Sequence, residues 1–364
     1  MTFIKWLVVI IAIIVFGGCS VNKQIVAQGV SEAPNVDNYE NGKFHNHQQV
    51  EPNNFKKTLG ILGRYITEKR TNVTPKEPIA IKSVTAKMLN ALANNTVHVV
   101  KLGHSSVLLK VHGEYWLLDP VFSERASPFS FLGPKRLSKL PISISELPPI
   151  DKVLISHNHY DHLDKSAIKK LAAKTKEFYV PLGVDSDLIE WGVNESKIST
   201  FNWWQELQTE HALVAFTPTQ HFSGRGISDA NNTLWGSWVI KTAQQRVYFS
   251  GDSGYFAGFK EIGNKYGPFD LTLIETGAYD KDWADIHVTP EQSVQAHLDL
   301  KGKIMVPIHN GTFDLAFHSW IDPLERVTAA SFAKNIALST PQFGQIFNVS
   351  DNPINTQWWL QATK

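Results

Sequence analysis

The chain has 364 residues, of which 43% are hydrophobic and 19% are charged, and its net charge is +1. This is an ordinary globular composition with room for one large core or two smaller domains. The low net charge and the short basic runs argue against a nucleic-acid partner. The single cysteine, Cys19, excludes an intrachain disulfide and leaves no thiolate ligand in the body of the chain. Any metal must therefore be held by nitrogen and oxygen atoms.

Residues 1–19 have the layout of a lipoprotein-type signal peptide. Lys5 precedes an apolar run over residues 6–16, and two glycines and Cys19 follow. The run is shorter than the ~20 residues that a membrane-spanning helix needs. We therefore expect lipidation of Cys19 and a location in the cell envelope, on the bacterial outer membrane or the periplasmic face. The alternative is an uncleaved N-terminal anchor, which also brings the protein to a membrane surface.

Residues 20–54 are rich in Asn, Gln and Val without periodicity, which predicts a flexible tether. Residues 55–96 are predicted to form an N-terminal helical extension. In its first part apolar side chains recur at helical spacing, at Phe55, Leu59, Leu62 and Ile66. Such a stripe is typical of a helix packed on the core, and also of an interfacial helix that faces lipid.

Residues 97–364 are predicted to form one catalytic domain. Short apolar or alternating runs predict strands over 97–101, 106–111, 115–119, 152–156, 213–217, 237–241, 246–250, 271–275 and 303–308. Helical patterns occur near 165–174, 184–191, 290–299 and 323–335, with Asp164 and Thr289 as predicted N-caps. Strands that alternate with helices indicate an α/β fold in which helices cover sheets.

The densest group of chemically active side chains directly follows the predicted strand 152–156. Four potential metal ligands lie within six residues there, at His157, His159, Asp161 and His162. A lone histidine is usually an ordinary polar residue, but this density at a strand end predicts a metal site.

Three further candidates each follow an apolar run. His221 comes after LVAFTPTQ, Asp252 after VYFSG and His309 after KIMVPI. Sites in α/β sheets form at the carboxyl ends of strands, so these side chains are expected to join the first four.

Five histidines and two aspartates exceed what one tetrahedral ion needs, which predicts two metal ions. The expected partition places His157, His159 and His221 on one ion, and Asp161, His162 and His309 on the other. Asp252 can bridge the two ions, because its carboxylate has two oxygen atoms. Two such ions share a hydroxide that attacks the substrate. The imidazole-rich set favours zinc, and iron or manganese would also suit it.

The pattern His-x-His-x-Asp-His, with a later His, Asp and His, resembles the metallo-β-lactamase superfamily. That resemblance implies an αββα four-layer sandwich with the dinuclear site between two sheets. LGHSSVLL (102–109), LLDPVFSERASP (117–128), FTPTQHF (216–222) and HVTPEQ (287–292) further resemble the N-acylphosphatidylethanolamine-hydrolysing phospholipase D family. This resemblance implies a two-zinc phosphodiesterase that cleaves N-acyl phosphatidylethanolamine at a membrane.

The resemblance also implies site residues. It puts the seven ligands on the residues named above, with Asp161 and Asp252 also catalytic, and a further active-site histidine on His287. It matches His104, Asp119, Arg136 and His318 without a clear chemical role. Asn310 and the segment 280–286 depart from the family pattern near the expected mouth of the site. Two alternatives remain open: a hydrolase of another phosphodiester or of a lactone, and a non-catalytic envelope lipoprotein.

Overall fold

The computed structural model describes residues 37–50 and 55–363. The predicted signal peptide with Cys19, and most of the predicted tether, lie outside the described residues. Across the described ranges, no helix combines the length and the apolar character that crossing a membrane requires.

The elements follow one another in the order that the interleaved pattern predicts. The described part of the chain begins with β1 (Tyr39–Glu40), β2 (Lys43–Phe44), α1 (Phe55–Thr67) and α2 (Ala86–Asn90). The next elements are β3 (Val97–Gly103), β4 (Ser106–Val111), β5 (Glu114–Leu118), β6 (Ile150–Leu154), α3 (Lys165–Leu171), β7 (Thr175–Pro181), α4 (Val184–Glu190) and β8 (Ile198–Phe201).

The second half of the domain continues the alternation. Its first elements are β9 (Glu206–Gln208), β10 (Leu213–Thr217), β11 (Ser237–Lys241), β12 (Arg246–Phe249), α5 (Gly258–Tyr266) and β13 (Phe269–Glu275). Its last elements are α6 (Pro290–Asp299), β14 (Gly302–Ile308), α7 (Asp322–Ala333), β15 (Ala337–Leu338) and β16 (Ile346–Asn348). Short 3-10 helices lie at Glu195–Lys197, Lys281–Trp283 and Trp358–Thr363.

Two mixed seven-stranded sheets organise the domain. Their strand orders are β16-β3-β4-β5-β6-β7-β8 and β15-β14-β13-β12-β11-β10-β9. In the first sheet β5 to β8 run parallel, and in the second β12 to β15 run parallel. The ends of β6, β12, β13 and β14 are therefore the places from which loops can carry side chains to one edge.

Three apolar layers hold the sheets and helices together. Trp116 of the first sheet and Trp238 of the second lie in the core between the sheets. Ile168 of α3 belongs to a second cluster outside the first sheet, and Val294 of α6 belongs to a third outside the other sheet. Burial of each large side chain contributes about 1.5–3 kcal/mol. Helix, sheet, sheet and helix thus form the predicted αββα sandwich, preceded by an N-terminal region.

All nine predicted strands are confirmed, with bounds within two residues of those observed. The four predicted helices are also confirmed, and so are their caps. Asp164 accepts hydrogen bonds from the amides of Ser166 and Ala167, and Thr289 forms a capping box with Gln292. The pattern missed the strands β1, β2, β7, β8, β9, β15 and β16 and the helix α5.

Helix α1 packs against the domain along one side only. The ring of Tyr65 lies 4.3 Å from that of Phe317, between ring centroids. In contrast, Leu59 is 50% exposed and Ile66 is 48% exposed, so part of the predicted apolar stripe faces outward. Helix α1 thus combines the packing of one alternative with the exposed apolar residues of the other.

Candidate metal centre

The loop after β6 carries four of the seven predicted ligands, and its shape is fixed from outside. Trp238 Nε1 of the opposite sheet donates to the carbonyl of Ile155 at 3.0 Å. The guanidinium of Arg225 donates to the carbonyls of Asn158 and Leu163, both at 2.7 Å. These bonds bracket the run from His157 to His162, so the loop holds its conformation without forming helix or strand.

His157, His159 and His221 form the first group. Nδ1 of His159 lies 2.9 Å from Nε2 of His157 and 3.2 Å from Nε2 of His221. Burial lowers the pKa of His159 and of His221 to about 3. Both imidazoles are therefore neutral at ordinary pH, which is the form that binds a metal ion.

Asp161, His162 and His309 form the second group. Oδ2 of Asp161 lies 3.2 Å from Nε2 of His309 and 3.7 Å from Nε2 of His162. Burial acts to lower the pKa of His309, but Asp252 and Asp161 together raise it to about 10. The carboxylates thus favour a positive charge at this point, which a bound cation would supply.

Asp252 lies between the two groups, as its predicted bridging role requires. Its Oδ1 lies 3.2 Å from Nε2 of His162, and its Oδ2 lies 3.0 Å from Nε2 of His309. Oδ2 is also 3.9 Å from Nε2 of both His157 and His221. One carboxylate therefore reaches both sets of nitrogen atoms.

The residue before it, Gly251, makes this approach possible. Its φ is +56°, in the left-handed region, and a Cβ there would lie 2.6 Å from Cβ of Ser156. Only glycine meets both demands.

The described side chains fit two metal ions. Nε2 of His162 and Oδ1 of Asp252 are buried and lie 3.2 Å apart, but they form no hydrogen bond with each other or with any other atom in the described part of the chain. Buried polar atoms without partners are costly, and a cation between them removes that cost. Imidazole and carboxylate donors suit zinc, iron and manganese. The structure thus brings all seven predicted ligands together in two groups that one carboxylate spans.

Several ligands are oriented through their outward-facing nitrogen. Asp119 Oδ2 lies 2.7 Å from Nδ1 of His162, and its Oδ1 accepts from the amide of Ser156 at 2.7 Å. The hydroxyl of Ser156 lies 2.9 Å from Nδ1 of His157. The carbonyl of Ile286 lies 3.0 Å from Nδ1 of His221. Such bonds select the tautomer that presents the other nitrogen to the metal. The resemblance singled out Asp119 without a chemical role, and this contact gives it one: it orients His162.

His287 faces the same space, and it is paired with a residue that sequence reasoning missed. Glu275, buried at the end of β13, forms a hydrogen bond through Oε1 with Nδ1 of His287. Its Oε2 accepts from the amide of Ser253 at 2.6 Å. With Nδ1 engaged, Nε2 of His287 is the nitrogen left for the cavity. The available signal was its place at the end of LTLIE, at the same sheet edge as the ligands.

The other residues that the resemblance singled out have contacts of their own. Nε2 of His104 lies 3.0 Å from Oδ2 of Asp161. Arg136 donates to the carbonyl of Val121 at 2.6 Å. His318 stacks on Tyr279 with 4.4 Å between ring centroids. Asn310, next to His309, accepts a hydrogen bond from Nζ of Lys101 at 2.9 Å.

A cavity of about 380 Å³ opens onto both groups. His159, Asp161, Asp252, His287 and His309 line its floor, and its apolar walls include Ile61, Phe222, Trp283, Ile286 and Leu315. The wall residue Ile61 belongs to α1 and therefore comes from outside the sandwich. Polar floor and apolar walls suit a substrate with a charged or polarised centre and an apolar substituent.

Comparisons with known proteins agree with this architecture. The family described as Beta-lactamase superfamily domain matches residues 115–310. An uncharacterized protein of Mycobacterium tuberculosis is 43% identical over 261 residues, which cover 71% of this chain and 70% of that protein. The N-acyl-phosphatidylethanolamine-hydrolyzing phospholipase D 1 of Caenorhabditis elegans is 33% identical over 267 residues, which cover 69% of this chain and 75% of that protein.

A solved structure shows the same fold. Igni18, a metallo hydrolase from the archaeon Ignicoccus hospitalis, aligns with a TM-score of 0.54 and 21% sequence identity, over 70% of this chain and 98% of its own. The fold, the His/Asp site and the family match confirm the resemblance drawn from the sequence. The chain belongs to the metallo-β-lactamase superfamily and is a metal-dependent hydrolase built on that fold.

Proposed function

We propose that the protein is a phosphodiesterase of the phospholipase D type, with N-acyl phosphatidylethanolamine as its substrate. The observation that carries the proposal is the cavity, because its apolar walls stand directly beside the two ligand groups. A lipid phosphodiester needs both features, since its acyl chains need apolar contact and its phosphate needs positive charge. The phospholipase D of Caenorhabditis elegans, 33% identical, supports this substrate.

The seven ligands would hold two ions, and we propose zinc because five of the seven are imidazoles. When bound, the two ions lower the pKa of water towards ~7 and offset the charge on the phosphoryl oxygens. Asp252 spans the two groups and fixes their separation. Asp161 would supply a second carboxylate among the metal ligands, and its contact with His104 orients it.

His287 would serve the leaving group. Hydrolysis forms a bond between the oxygen of water, which gives up one proton, and phosphorus. It breaks the bond from phosphorus to the ethanolamine oxygen. That oxygen leaves with the electron pair and needs a proton or a hydrogen-bond donor. His287 lines the cavity with Nε2 unengaged by Glu275, so it can meet that oxygen.

A product assay tests the proposal. Purified, zinc-loaded protein is offered N-palmitoyl phosphatidylethanolamine in mixed micelles and, separately, bis(4-nitrophenyl) phosphate and a lactone. We expect N-palmitoylethanolamine and phosphatidic acid, both lost in Asp252→Ala. Activity on the lactone alone would overturn the proposed reaction, and activity on the soluble phosphodiester alone would overturn the proposed substrate. A chain that binds two metals per molecule without hydrolysing any of the three would be the non-catalytic alternative.

We also propose that the protein is tethered to the cell envelope through lipidated Cys19. The proposal rests on the basic, apolar and small-residue layout of residues 1–19. The mass of the mature N-terminal peptide tests it. A diacylglyceryl adduct on Cys19, absent in Cys19→Ser, is the expected result, and an unmodified residue 1 would contradict it.

A further inference from the structure

The guanidinium of Arg64 on α1 binds two carboxylates of the segment 280–286, which forms one wall of the cavity. Nη1 of Arg64 donates to Oδ1 of Asp280 at 2.5 Å, and Nη2 donates to Oδ2 of the same residue at 3.0 Å. Nη1 also donates to Asp282. The remaining nitrogen, Nε, donates at 2.8 Å to Glu68, which directly follows the last residue of α1. All three guanidinium nitrogens thus donate hydrogen bonds, and the contact with Asp280 is bidentate.

This contact is partly withdrawn from solvent. The side chain of Arg64 is 18% exposed, and those of Asp280 and Asp282 are 9% and 26% exposed. The guanidinium lies 4.0 Å above the ring of Phe317. A shielded, bidentate and stacked arginine forms a stronger contact than a surface ion pair. Arg64 therefore holds the two segments firmly.

Both segments contribute to the cavity. Ile61 stands one turn before Arg64 on α1 and lines the cavity, and Trp283 and Ile286 line it from the segment that Arg64 holds. Nε1 of Trp283 donates to the carbonyl of Ala278 at 2.5 Å, which sets the tilt of the indole. The Arg64 contact thus joins two walls that are far apart in sequence.

The far end of the held segment is fixed by other bonds. The amide of Val288 donates to the carbonyl of Ser253 at 3.0 Å, and His287 is paired with Glu275. Loss of the Arg64 contact would therefore loosen the residues around Trp283 and leave His287 in place. Such a change acts on the apolar wall rather than on the reacting groups.

We propose that Arg64 is a positioning residue that sets substrate selectivity, by holding Ile61 and Trp283 together as one wall for the apolar chain of an amphiphilic phosphodiester. The proposal rests on the proposed function and deepens it. Arg64 touches neither the ligand groups nor the floor of the cavity. Its removal also leaves Asp280 and Asp282 as two like charges at one place, which favours opening of the segment.

Kinetics on two substrates separate this role from a general structural one. For Arg64→Ala we expect KM for N-palmitoyl phosphatidylethanolamine to rise about tenfold while kcat changes less than about twofold. The value of kcat/KM for bis(4-nitrophenyl) phosphate should change less than about twofold. The double variant Asp280→Asn/Asp282→Asn keeps the side-chain oxygen that caps the 3-10 helix Lys281–Trp283. It should show the same rise in KM for the lipid with little change for the soluble substrate, and adding Arg64→Ala to it gives the triple variant. Because the groups act through one contact, the triple variant should be no worse than Arg64→Ala.

Arg326→Ala is the matched control, since Arg326 pairs with Glu291 on the surface at 2.5 Å. It should leave both substrates unchanged. An equal loss on both substrates in Arg64→Ala, no loss on either, or additive effects in the triple variant would overturn the proposal.

Hydrogen exchange keeps the test independent of the reaction. In Arg64→Ala the amides of residues 281–284 should exchange faster than in the wild type and in Arg326→Ala. If the wild type hydrolyses neither phosphodiester, the proposed function fails, and this exchange still reports on the contact. Unchanged exchange would overturn the role of Arg64 even in an active enzyme.

Discussion

Oε1 of Glu275 and Nδ1 of His287 share a hydrogen bond beneath the floor of the cavity. Burial raises the pKa of Glu275, and the neighbouring Asp252 raises it further. Burial lowers the pKa of His287 to about 4. Protonated Glu275 donates to Nδ1 of the neutral imidazole, and the imidazole keeps its own proton on Nε2. The pair is therefore arranged to present one defined nitrogen atom to a substrate.

We expect Glu275→Ala to lower kcat by about tenfold to a hundredfold on N-palmitoyl phosphatidylethanolamine, because Nδ1 of His287 then loses its partner and the tautomer is no longer fixed. His287→Gln should lower kcat at least as far. Both losses should shrink on bis(4-nitrophenyl) phosphate, since nitrophenolate leaves without assistance. Steady-state kinetics on the two substrates measure the difference.

If Glu275 acts through His287, the effects of the two substitutions on kcat do not add. The double variant should therefore match His287→Gln within about twofold. Equal losses on both leaving groups would remove the leaving-group role from His287. Metal content serves as the control, and it should equal that of the wild type in both single variants.

A second prediction concerns Asp119, which orients His162. Removal of a carboxylate that supports a metal-binding histidine costs about 10–100-fold in metal affinity. Asp119 contacts His162 directly but reaches His157 only through Ser156. In a chelator titration of Asp119→Ala we therefore expect the ion of the His162 group to be lost first and the other ion to be retained longer. The surface variant Asp351→Asn is the control. Loss of both ions together, or of neither, would contradict the assignment of His162 to one ion.

The strand-end pattern predicted most of the fold because its strands are short, apolar and bounded by polar turns. The pattern missed β7 because Lys176 and Glu177, which are exposed near its start, interrupt the run of apolar residues. α5 escaped because GFKEIGNKY contains two glycines, which weaken helix propensity. Its helix is held by tertiary packing instead, with Phe259, Ile262 and Tyr266 buried on one face.

A third prediction concerns the pH dependence of stability. Burial lowers the pKa of Lys101 to about 7, from an ordinary value of 10.5. Between these pH values the unfolded chain binds more protons than the folded one, so the free energy of unfolding rises with pH. Below pH 7 both states are protonated and this contribution is flat.

Lys101→Met removes that dependence. Urea unfolding at pH 7, 8 and 9 measures the free energy of unfolding of both proteins. The difference between wild type and variant should grow by up to about 1.4 kcal/mol per pH unit. The variant also leaves the carbonyl of Pro307 and the amide oxygen of Asn310 without their donor, so it should be less stable at pH 9. Parallel pH profiles would show that Lys101 carries no such shift.

The candidate site was likewise predicted only in part from the sequence. Its seven ligands could be predicted because each is a histidine or aspartate at the end of an apolar run. Glu275 sits at the same edge, but glutamate after a strand is common and no motif surrounds it. Contacts such as that of Arg64 with Asp280 join residues more than 200 positions apart. They depend on the three-dimensional arrangement of loops, which periodicity does not report.

The central claim is attack of water on phosphorus in a lipid phosphodiester. Hydrolysis of N-palmitoyl phosphatidylethanolamine in ¹⁸O-labelled water, followed by mass spectrometry of both products, tests it most directly. We predict one ¹⁸O atom in phosphatidic acid and none in N-palmitoylethanolamine, with no product from Asp252→Ala. Label in N-palmitoylethanolamine, or no lipid product from the metal-loaded wild type, would contradict it.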